Sequence, residues 1–223
     1  MLILGIDDAG RGPVIGPMVL AGVLINKDTE REFIELGVKD SKILLPKKRE
    51  TLAKTIKEKS ISWFNVIISV NEIDDVNKDK MNLNDREAVA AAMIINKLNK
   101  KKEPIKVIID CPSVNIKAWK EYLEKFLVGR ANLEVLCEHK ADINHIVVSA
   151  ASIIAKTTRD AEVGKIKKSL GVDFGSGYAA DPITRKFIYT SYDKYKGKGI
   201  FRESWSTIKK HKLQGKQKTL FDK

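Results

Sequence analysis

Two adjacent carboxylates close the first apolar run of the chain, in the stretch LILGIDDAGRGPVIGP over residues 2–17. Like charges such as Asp7 and Asp8 at the end of a buried strand are costly unless a cation balances them. Two later predicted strands lead to aspartates in the same way: KVIID closes on Asp110, and LEVLCEHKAD runs out to Asp142. If these strands are neighbours, four carboxylates meet at one edge of the sheet. Such a set predicts two divalent cations that activate a water and stabilise the leaving oxygen of a phosphodiester. The alternative is a set of unrelated turn aspartates.

A polar stripe runs along the mostly apolar stretch HIVVSAASIIAKTTRDAEV. Ser149, Ser152, Lys156 and Arg159 recur at spacings of three, four and three, which places them on one helical face. Two hydroxyls followed by two cations can bind a phosphate. The alternative is that the serines are small packing residues and that Lys156 extends into solvent.

Gly10, Arg11 and Gly12 follow the aspartate pair almost at once. Glycines let a backbone approach a ligand closely and present its amide groups. Reading a ribose 2′-OH through the backbone requires that access. Taken alone, the triplet is equally compatible with a tight turn.

The elements that must position these residues follow an α/β pattern. Strands are predicted over 2–7, 14–25, 61–70, 106–110 and 133–142. Helices are predicted over 45–59, over 84–98 with Asn84 as N-cap and Glu87 in capping-box position, and over 116–126, 145–169, 181–195 and 203–212. This order indicates an α/β domain on a mixed sheet with a helical C-terminal part.

The composition points to a folded protein with a polyanionic partner. The chain has 223 residues, is 43% hydrophobic and has a formal net charge of +12. This charge favours nucleic acid over an anionic membrane, and general lysine enrichment for solubility is the alternative. Apolar runs are too short to span a bilayer. Cys111 and Cys137 are expected to be buried, reduced thiols, as in a cytoplasmic protein, and a monomer is expected.

Several motifs taken together resemble one family. These motifs are GIDDAGRGPVIGP, VKDSK, IID, EHKAD, VSAASIIAK and GSGY followed by DP and T. With these motifs in the same order, the chain resembles type 2 ribonuclease H (ribonuclease HII) of the archaeal kind over residues 1 to about 205. The resemblance implies an RNase H-like fold with a five-stranded mixed sheet. It also implies a catalytic domain over 1–170, a helical substrate-binding region over 171–212 and a basic tail over 213–223.

The resemblance also implies an activity and a set of site residues. The activity is Mg²⁺- or Mn²⁺-dependent hydrolysis of the RNA strand of RNA/DNA hybrids, and incision 5′ of single ribonucleotides in duplex DNA, leaving 3′-OH and 5′-phosphate ends. The metal ligands would be Asp7, Asp8, Asp110 and Asp142, and the loop Gly10, Arg11 and Gly12 would contact the ribonucleotide. Tyr178 would stack on the sugar of the next deoxynucleotide. The substrate groove would include Lys42, Lys140, Ser149, Ser152 and Lys156.

Three positions depart from the family pattern. The family's second carboxylate is glutamate, whereas this chain has Asp8, which is shorter by one C–C bond of about 1.5 Å. Neighbouring strand residues point to opposite faces, so the strand is expected to bend for both carboxylates to reach the same ions. We therefore expect weaker metal binding, a lower rate or a preference for Mn²⁺. Ala179 and Ala180 replace a proline and a serine after Tyr178.

Other features suggest further contacts and two rival functions. Gln217, Leu220 and Phe221 partly resemble a sliding-clamp-binding motif, with a disordered tail as the alternative. Arg202, Lys209 and Lys210 are candidates for phosphate contacts. One rival is a hybrid-binding protein impaired in catalysis at Asp8. The other is a different metal-dependent phosphotransferase, such as an exonuclease or a resolvase, for which the glycine loop and Tyr178 have no evident purpose.

Overall fold

A mixed five-stranded sheet forms the centre of the fold in the computed structural model. The structure describes residues 1–39, 41, 44–75, 80–100 and 102–221, with side chains to residue 213. The strands are β1 (Leu2–Ala9), β2 (Met18–Ile25), β3 (Ser62–Ile68), β4 (Ile105–Asp110) and β5 (Leu133–Glu138), in the order β3-β2-β1-β4-β5. β1 is antiparallel to β2 and parallel to β4, and β4 is parallel to β5. The predicted fold class is confirmed.

Helices alternate with these strands and follow the last of them in the described part of the chain. They are α1 (Lys27–Glu35), α2 (Pro46–Lys59), α3 (Val70–Asp74), α4 (Leu83–Leu98), α5 (Ile116–Glu124), α6 (Ala141–Asn144), α7 (Ile146–Leu170), α8 (Pro182–Tyr195) and α9 (Ser206–Phe221). Gly5 of β1 lies against the backbone of α7 at Val147, while Gly22 of β2 lies against Ile94 of α4. None of the helices in the described ranges combines the length and apolar composition needed to cross a bilayer.

Three predicted boundaries were wrong for local reasons. β2 begins at Met18 rather than residue 14, because residues 14–17 leave the ladder and Ile15 forms an isolated bridge with Phe201. The N-cap of α4 is Asn82 rather than Asn84, and Asp85 rather than Glu87 completes its capping box. β5 ends at Glu138, so Asp142 lies on the short helix α6.

The chain groups into two compact units that alternate along the sequence. One comprises Met1–Ala9, Val19–Ile67 and Met81–Arg159, and the other comprises Gly10–Met18, Ile68–Lys80 and Asp160–Lys223. The first contains the sheet, and its core includes Val19, Val23 and Ile25 of β2 packed with the apolar face of α7. The second has an aromatic core of its own. The division into 1–170, 171–212 and 213–223 stays a prediction.

Both cysteines are buried, and neither forms a disulfide. Cys137 lies on β5 opposite Ile109, and burial, followed by the nearby Cys111 thiol, raises its pKa to about 12. The prediction of buried thiols is confirmed.

Candidate active site

The β1 strand holds Asp7 and Asp8 on opposite faces of the sheet. Its one-to-one register with β2 continues through Asp7↔Ala21, Asp8↔Leu20 and Ala9↔Val19. Consecutive residues of a regularly paired strand point to opposite sides. The pairing of β1 with β2 therefore has no bulge at Asp7 and Asp8, and Asp7 takes the same face as Gly5, which lies against α7.

Asp7 is a buried carboxylate in an unfavourable electrostatic setting. It is 5% exposed, and burial raises its pKa well above the ordinary value. The charges of Asp8 and Asp110 raise the pKa further, which shows that these three aspartates of the first unit are close enough to interact. Hydrogen bonds from the Ser152 hydroxyl and from the Asp8 N–H, at 2.7 Å from Asp7 Oδ1, act in the opposite direction.

Asp110 and Asp142 are linked through the start of α6. The N–H of Ala141 donates to Asp110 Oδ1 at 3.0 Å, and Asp142 follows Ala141 directly. Lys140, just before it, adopts the left-handed conformation with φ 60°, which non-glycine residues seldom take. This turn re-aims the chain after β5 and brings the buried Asp142 next to the end of β4.

Asp8 faces a small pocket that contains a further buried carboxylate. Four acidic residues line it, Asp7, Asp8, Asp110 and Glu87, together with apolar residues that include Ile6, Leu20 and Trp119. Glu87 of α4 is only 1% exposed. Sequence reasoning placed Glu87 in a helix cap and missed it as part of this pocket. The available signal was its position on the apolar face of α4, three, four and seven residues before Ala90, Ala91 and Ile94.

The donor chemistry of these aspartates fits a hard divalent cation, because carboxylate oxygens are the ligands that Mg²⁺ and Mn²⁺ prefer. A cation would also neutralise the repulsion that raises the pKa of Asp7. In the part of the chain that the structure describes, however, no three His, Cys, Asp or Glu side chains are grouped to hold a metal ion as they stand.

The predicted groove residues of the first unit occupy different settings. Ser152 and Ser149 are both buried. The Ser152 hydroxyl lies 2.8 Å from that of Ser41, and Ser149 Oγ donates to the carbonyl of Asp142 at 2.6 Å. Lys156 is half-buried and Lys140 is exposed, while Lys42 lies outside the described residues. Ser41, in the block VKDSK, was not singled out by sequence reasoning although it reaches Asp7 through Ser152.

The second unit brings the predicted glycine loop and Tyr178 together. Gly10 has φ 89°, a conformation that glycine adopts without strain. A methyl group on Gly12 would lie 3.5 Å from Cε1 of Tyr178, so the ring covers the glycine. The N–H groups of Val14 and Ile15 donate to the carbonyl of Gly177, which ties the end of the loop to the segment carrying Tyr178.

Arg202 corrects one of the sequence predictions. It was expected on the surface, in contact with phosphate, yet it is fully buried. Its guanidinium donates to the carbonyl of Gly16 at 3.0 Å, of Arg11 at 2.8 Å and of Gly10 at 2.6 Å. Arg202 therefore anchors the backbone of the glycine loop.

Comparison with known proteins identifies the family of the chain. The sequence profile of the family Ribonuclease HII matches residues 4–208. A Ribonuclease HII from Methanobrevibacter smithii is 42% identical over 215 residues, covering 95% of this chain and 99% of that protein. The crystal structure of the ribonuclease H2 from Pyrococcus horikoshii OT3 is similar with a TM-score of 0.84 and 35% identity, over 96% of this chain and 98% of that one.

A third relative is the ribonuclease HII in a structure of the PCNA:RNase HII complex from Archaeoglobus fulgidus. It is 36% identical with a TM-score of 0.77, over 92% of this chain and 96% of that one. Since the family profile and these relatives cover nearly the whole chain, the protein belongs to the ribonuclease HII family and is a metal-dependent ribonuclease of the RNase H type, a hydrolase.

Proposed function

We propose that the protein is an endoribonuclease that hydrolyses the RNA strand of RNA/DNA hybrids and cuts 5′ of single ribonucleotides embedded in duplex DNA. The products carry 3′-OH and 5′-phosphate ends. One observation carries the proposal: Asp7 is buried within reach of the charges of Asp8 and Asp110, a costly arrangement that only a cationic partner makes favourable. The phosphodiester backbone is the substrate that such a site and a net charge of +12 suit.

Asp7, Asp8, Asp110 and Asp142 are the residues that would hold the metal. When bound there, Mg²⁺ or Mn²⁺ would activate a water and stabilise the developing negative charge on the leaving oxygen. Two ions are expected with substrate.

The other residues of the chain hold the reacting groups in place. Ser152 donates to Asp7 and so favours its ionised form, the one able to bind a cation. The N–H of Ala141 fixes one oxygen of Asp110. In the second unit, the glycine loop would read the ribose 2′-OH through its backbone, and Tyr178 beside Gly12 would stack on the next sugar.

Asp8 is the weak point of this site. Its side chain is shorter than the glutamate that the family pattern has, and it lies on the opposite face from Asp7. Ligand distances must hold within about 0.2 Å, so we expect a reduced rate in Mg²⁺ and better activity in Mn²⁺. The alternative function is a hybrid-binding protein whose catalysis is lost at this position.

The test is cleavage of an end-labelled DNA duplex with one ribonucleotide, in Mg²⁺ and in Mn²⁺ separately. Asp8→Glu should raise the rate in Mg²⁺ by about tenfold, because the longer side chain reaches the ion more easily. Asp28→Glu makes the same chemical change on α1, where the side chain is 84% exposed, and serves as the matched control.

Each outcome of this experiment decides between functions. Cutting only on the 5′ side of the ribonucleotide, faster with glutamate at position 8, supports the endoribonuclease. Cutting of an all-DNA duplex would favour a different phosphotransferase. No cutting by either protein in either metal would contradict the proposal and leave the hybrid-binding protein.

A second candidate function is binding to a sliding clamp. The relative from Archaeoglobus fulgidus was solved as a PCNA complex, and this chain carries Gln217, Leu220 and Phe221 near its end. The backbone of α9 is helical from Ser206 to Phe221. We propose that these three residues contact the clamp of the same organism.

Replacing Leu220 and Phe221 together with alanine should weaken clamp binding at least about tenfold, as loss of an anchoring pair does at other interfaces. Leu213→Ala removes an exposed leucine from the same helix and is the control. Calorimetric titration with the purified clamp measures both. Equal affinity of the double variant and the wild type would contradict the motif.

A further inference from the structure

Arg202 is fully buried, although arginine is exposed in most proteins. Its guanidinium donates three hydrogen bonds to backbone carbonyls. Two of these carbonyls belong to the glycine loop, at Gly10 and Arg11, and the third is that of Gly16. A guanidinium has five donors in a fixed planar fork, so it donates to three carbonyls at set angles, whereas the three donors of an ammonium diverge from a single nitrogen. Its charge is buried, so its position is determined by these contacts.

These contacts determine which way the loop presents its N–H groups. In a planar trans peptide, the carbonyl of one residue and the N–H of the next point in opposite directions. The peptide bonds of the described chain include no cis bond. Because the carbonyls of Gly10 and Arg11 point onto Arg202, the N–H groups of Arg11 and Gly12 point away from it.

The buried charge also acts on those N–H groups electrically. A cation at the carbonyl end of a peptide polarises it and strengthens the N–H at the other end as a donor. Arg202 therefore orients two backbone donors and makes them stronger. Both effects favour an acceptor oxygen on the far side of the loop, such as a ribose hydroxyl or a phosphate oxygen.

Arg202 is itself firmly held. Its own N–H donates to the carbonyl of Val14 at 2.9 Å, and its guanidinium lies 5.0 Å from the ring centre of Trp205. The next two residues are fixed by Asp74, whose carboxylate accepts from the N–H of Glu203 at 2.5 Å and of Ser204 at 3.1 Å. These contacts hold the anchor in place in the absence of substrate, which favours a preorganised loop.

We propose that Arg202 is the positioning residue for ribonucleotide recognition. It acts through the backbone of Gly10, Arg11 and Gly12, and it sets the preference of the protein for a 2′-OH over a 2′-H. This inference rests on the proposed function, since it requires that the glycine loop reads the ribonucleotide.

The experiment compares two dissociation constants in EDTA, where no cutting occurs. One is for a duplex with a single ribonucleotide and the other is for the all-DNA duplex of the same sequence, both measured by fluorescence anisotropy. The ratio of the two constants is the preference for ribose. Arg202→Lys keeps the charge but not the fork, and it should lower this ratio towards one, by up to about tenfold. Arg31→Lys, on a side chain that is 77% exposed, makes the same change and should leave the ratio as it is.

The ratio separates positioning from general damage to the fold. A variant that is merely loosened loses affinity for both duplexes in parallel, and an unchanged ratio for Arg202→Lys would therefore overturn the inference. A wild-type ratio of one would overturn it as well. Cutting at the ribonucleotide by that same wild-type sample, once metal is added, would show that the proposed function nevertheless stands.

A second variant tests the inference if Arg202→Lys does not fold. Arg202→Ala leaves a space that guanidinium ions from solution can enter, where their planar fork can donate to the same three carbonyls. Methylammonium ions carry the same charge but lack this fork. Recovery of the ratio with guanidinium at millimolar concentration, and not with methylammonium, supports the proposal. Equal recovery with both ions, or recovery with neither, would overturn it.

Discussion

At the scale of single residues, Asp7 has an ionisable carboxyl group in a buried position that disfavours its charged form. The pKa of Asp7 is higher in the folded protein than its ordinary value of 3.8. At pH values between these two, the folded state therefore binds more protons than the unfolded state. The contribution of Asp7 to the free energy of unfolding of the metal-free protein therefore falls as the pH rises through this interval. A bound cation would remove that penalty.

Asp7→Asn should accordingly stabilise the metal-free protein at neutral pH while abolishing cleavage. The amide removes the buried charge and its repulsion by Asp8 and Asp110, and it can still accept a hydrogen bond from Ser152. We expect a melting temperature higher by about 2–4 °C in EDTA, measured by calorimetry. A lower melting temperature for Asp7→Asn would show that Asp7 already has a favourable partner without metal.

Residue types in the sequence were enough to single out the aspartates and the glycine loop as candidates, because each interrupts an apolar pattern with groups that can bind a cation or a ligand. Contacts between residues far apart in the sequence could not be predicted from residue types. Arg202 was assigned to phosphate contacts because it lies in the basic stretch FRESWSTIKKHK, with solvated surface as the alternative. Only the folded chain brings it to carbonyls of Gly10 and Arg11, 192 and 191 positions away.

At the scale of elements, the close approach of β1 and α7 positions Asp7 against Ser152. A methyl group on Gly5 would lie 2.6 Å from the backbone nitrogen of Val148 and closer still to Val147. Backbone atoms in a packed helix cannot yield to such a contact. The absence of a side chain at Gly5 is therefore what allows the sheet and this helix to meet at the site.

Gly5→Ala should destabilise the fold by about 2–3 kcal/mol, because the strand must move away from the helix. Gly164→Ala, in α7 with no atom within 4 Å of the new methyl group, should stabilise it by about 0.5–1 kcal/mol through helix propensity. Urea unfolding of both variants provides the measurement. Equal effects of the two substitutions would contradict this account of β1 packing.

The elements themselves were largely predictable, and their ends were not. Apolar runs and helical spacing located the five strands and the longer helices. The start of β2 was missed because Ile15 is apolar yet bridges to Phe201, far along the chain. The cap of α4 was misassigned because Asn82 and Asn84 are chemically equivalent, and geometry selects the first.

At the scale of the whole molecule, the excess of cations predicts how binding responds to salt. The chain has 41 lysines and arginines against 29 aspartates and glutamates. Each phosphate that a cation neutralises releases a condensed counterion from the nucleic acid, and added salt opposes that release.

Raising the salt concentration fourfold should weaken the binding of an RNA/DNA hybrid by about a hundredfold if four phosphates are contacted. Anisotropy titrations in EDTA, at salt concentrations from about 50 to about 200 mM, span physiological ionic strength. They give the slope of the logarithm of the binding constant against the logarithm of the salt concentration. The slope should be nearly the same for an all-DNA duplex, since phosphate contacts carry no sequence or sugar information. A flat salt dependence would contradict the assignment of the net charge to nucleic-acid binding.

The contact between Arg202 and the glycine loop has a consequence for the newly made protein. The loop leaves the ribosome early, but the guanidinium that anchors it is synthesised 192 residues after Gly10. At about 5–20 residues per second, translation keeps the loop without its anchor for about 10–40 s. The aspartates of β1 and β4 are made well before that point. The proposed role of Arg202 therefore makes selectivity for ribose one of the last properties that the growing chain would acquire, and a chain truncated before residue 202 would lack it.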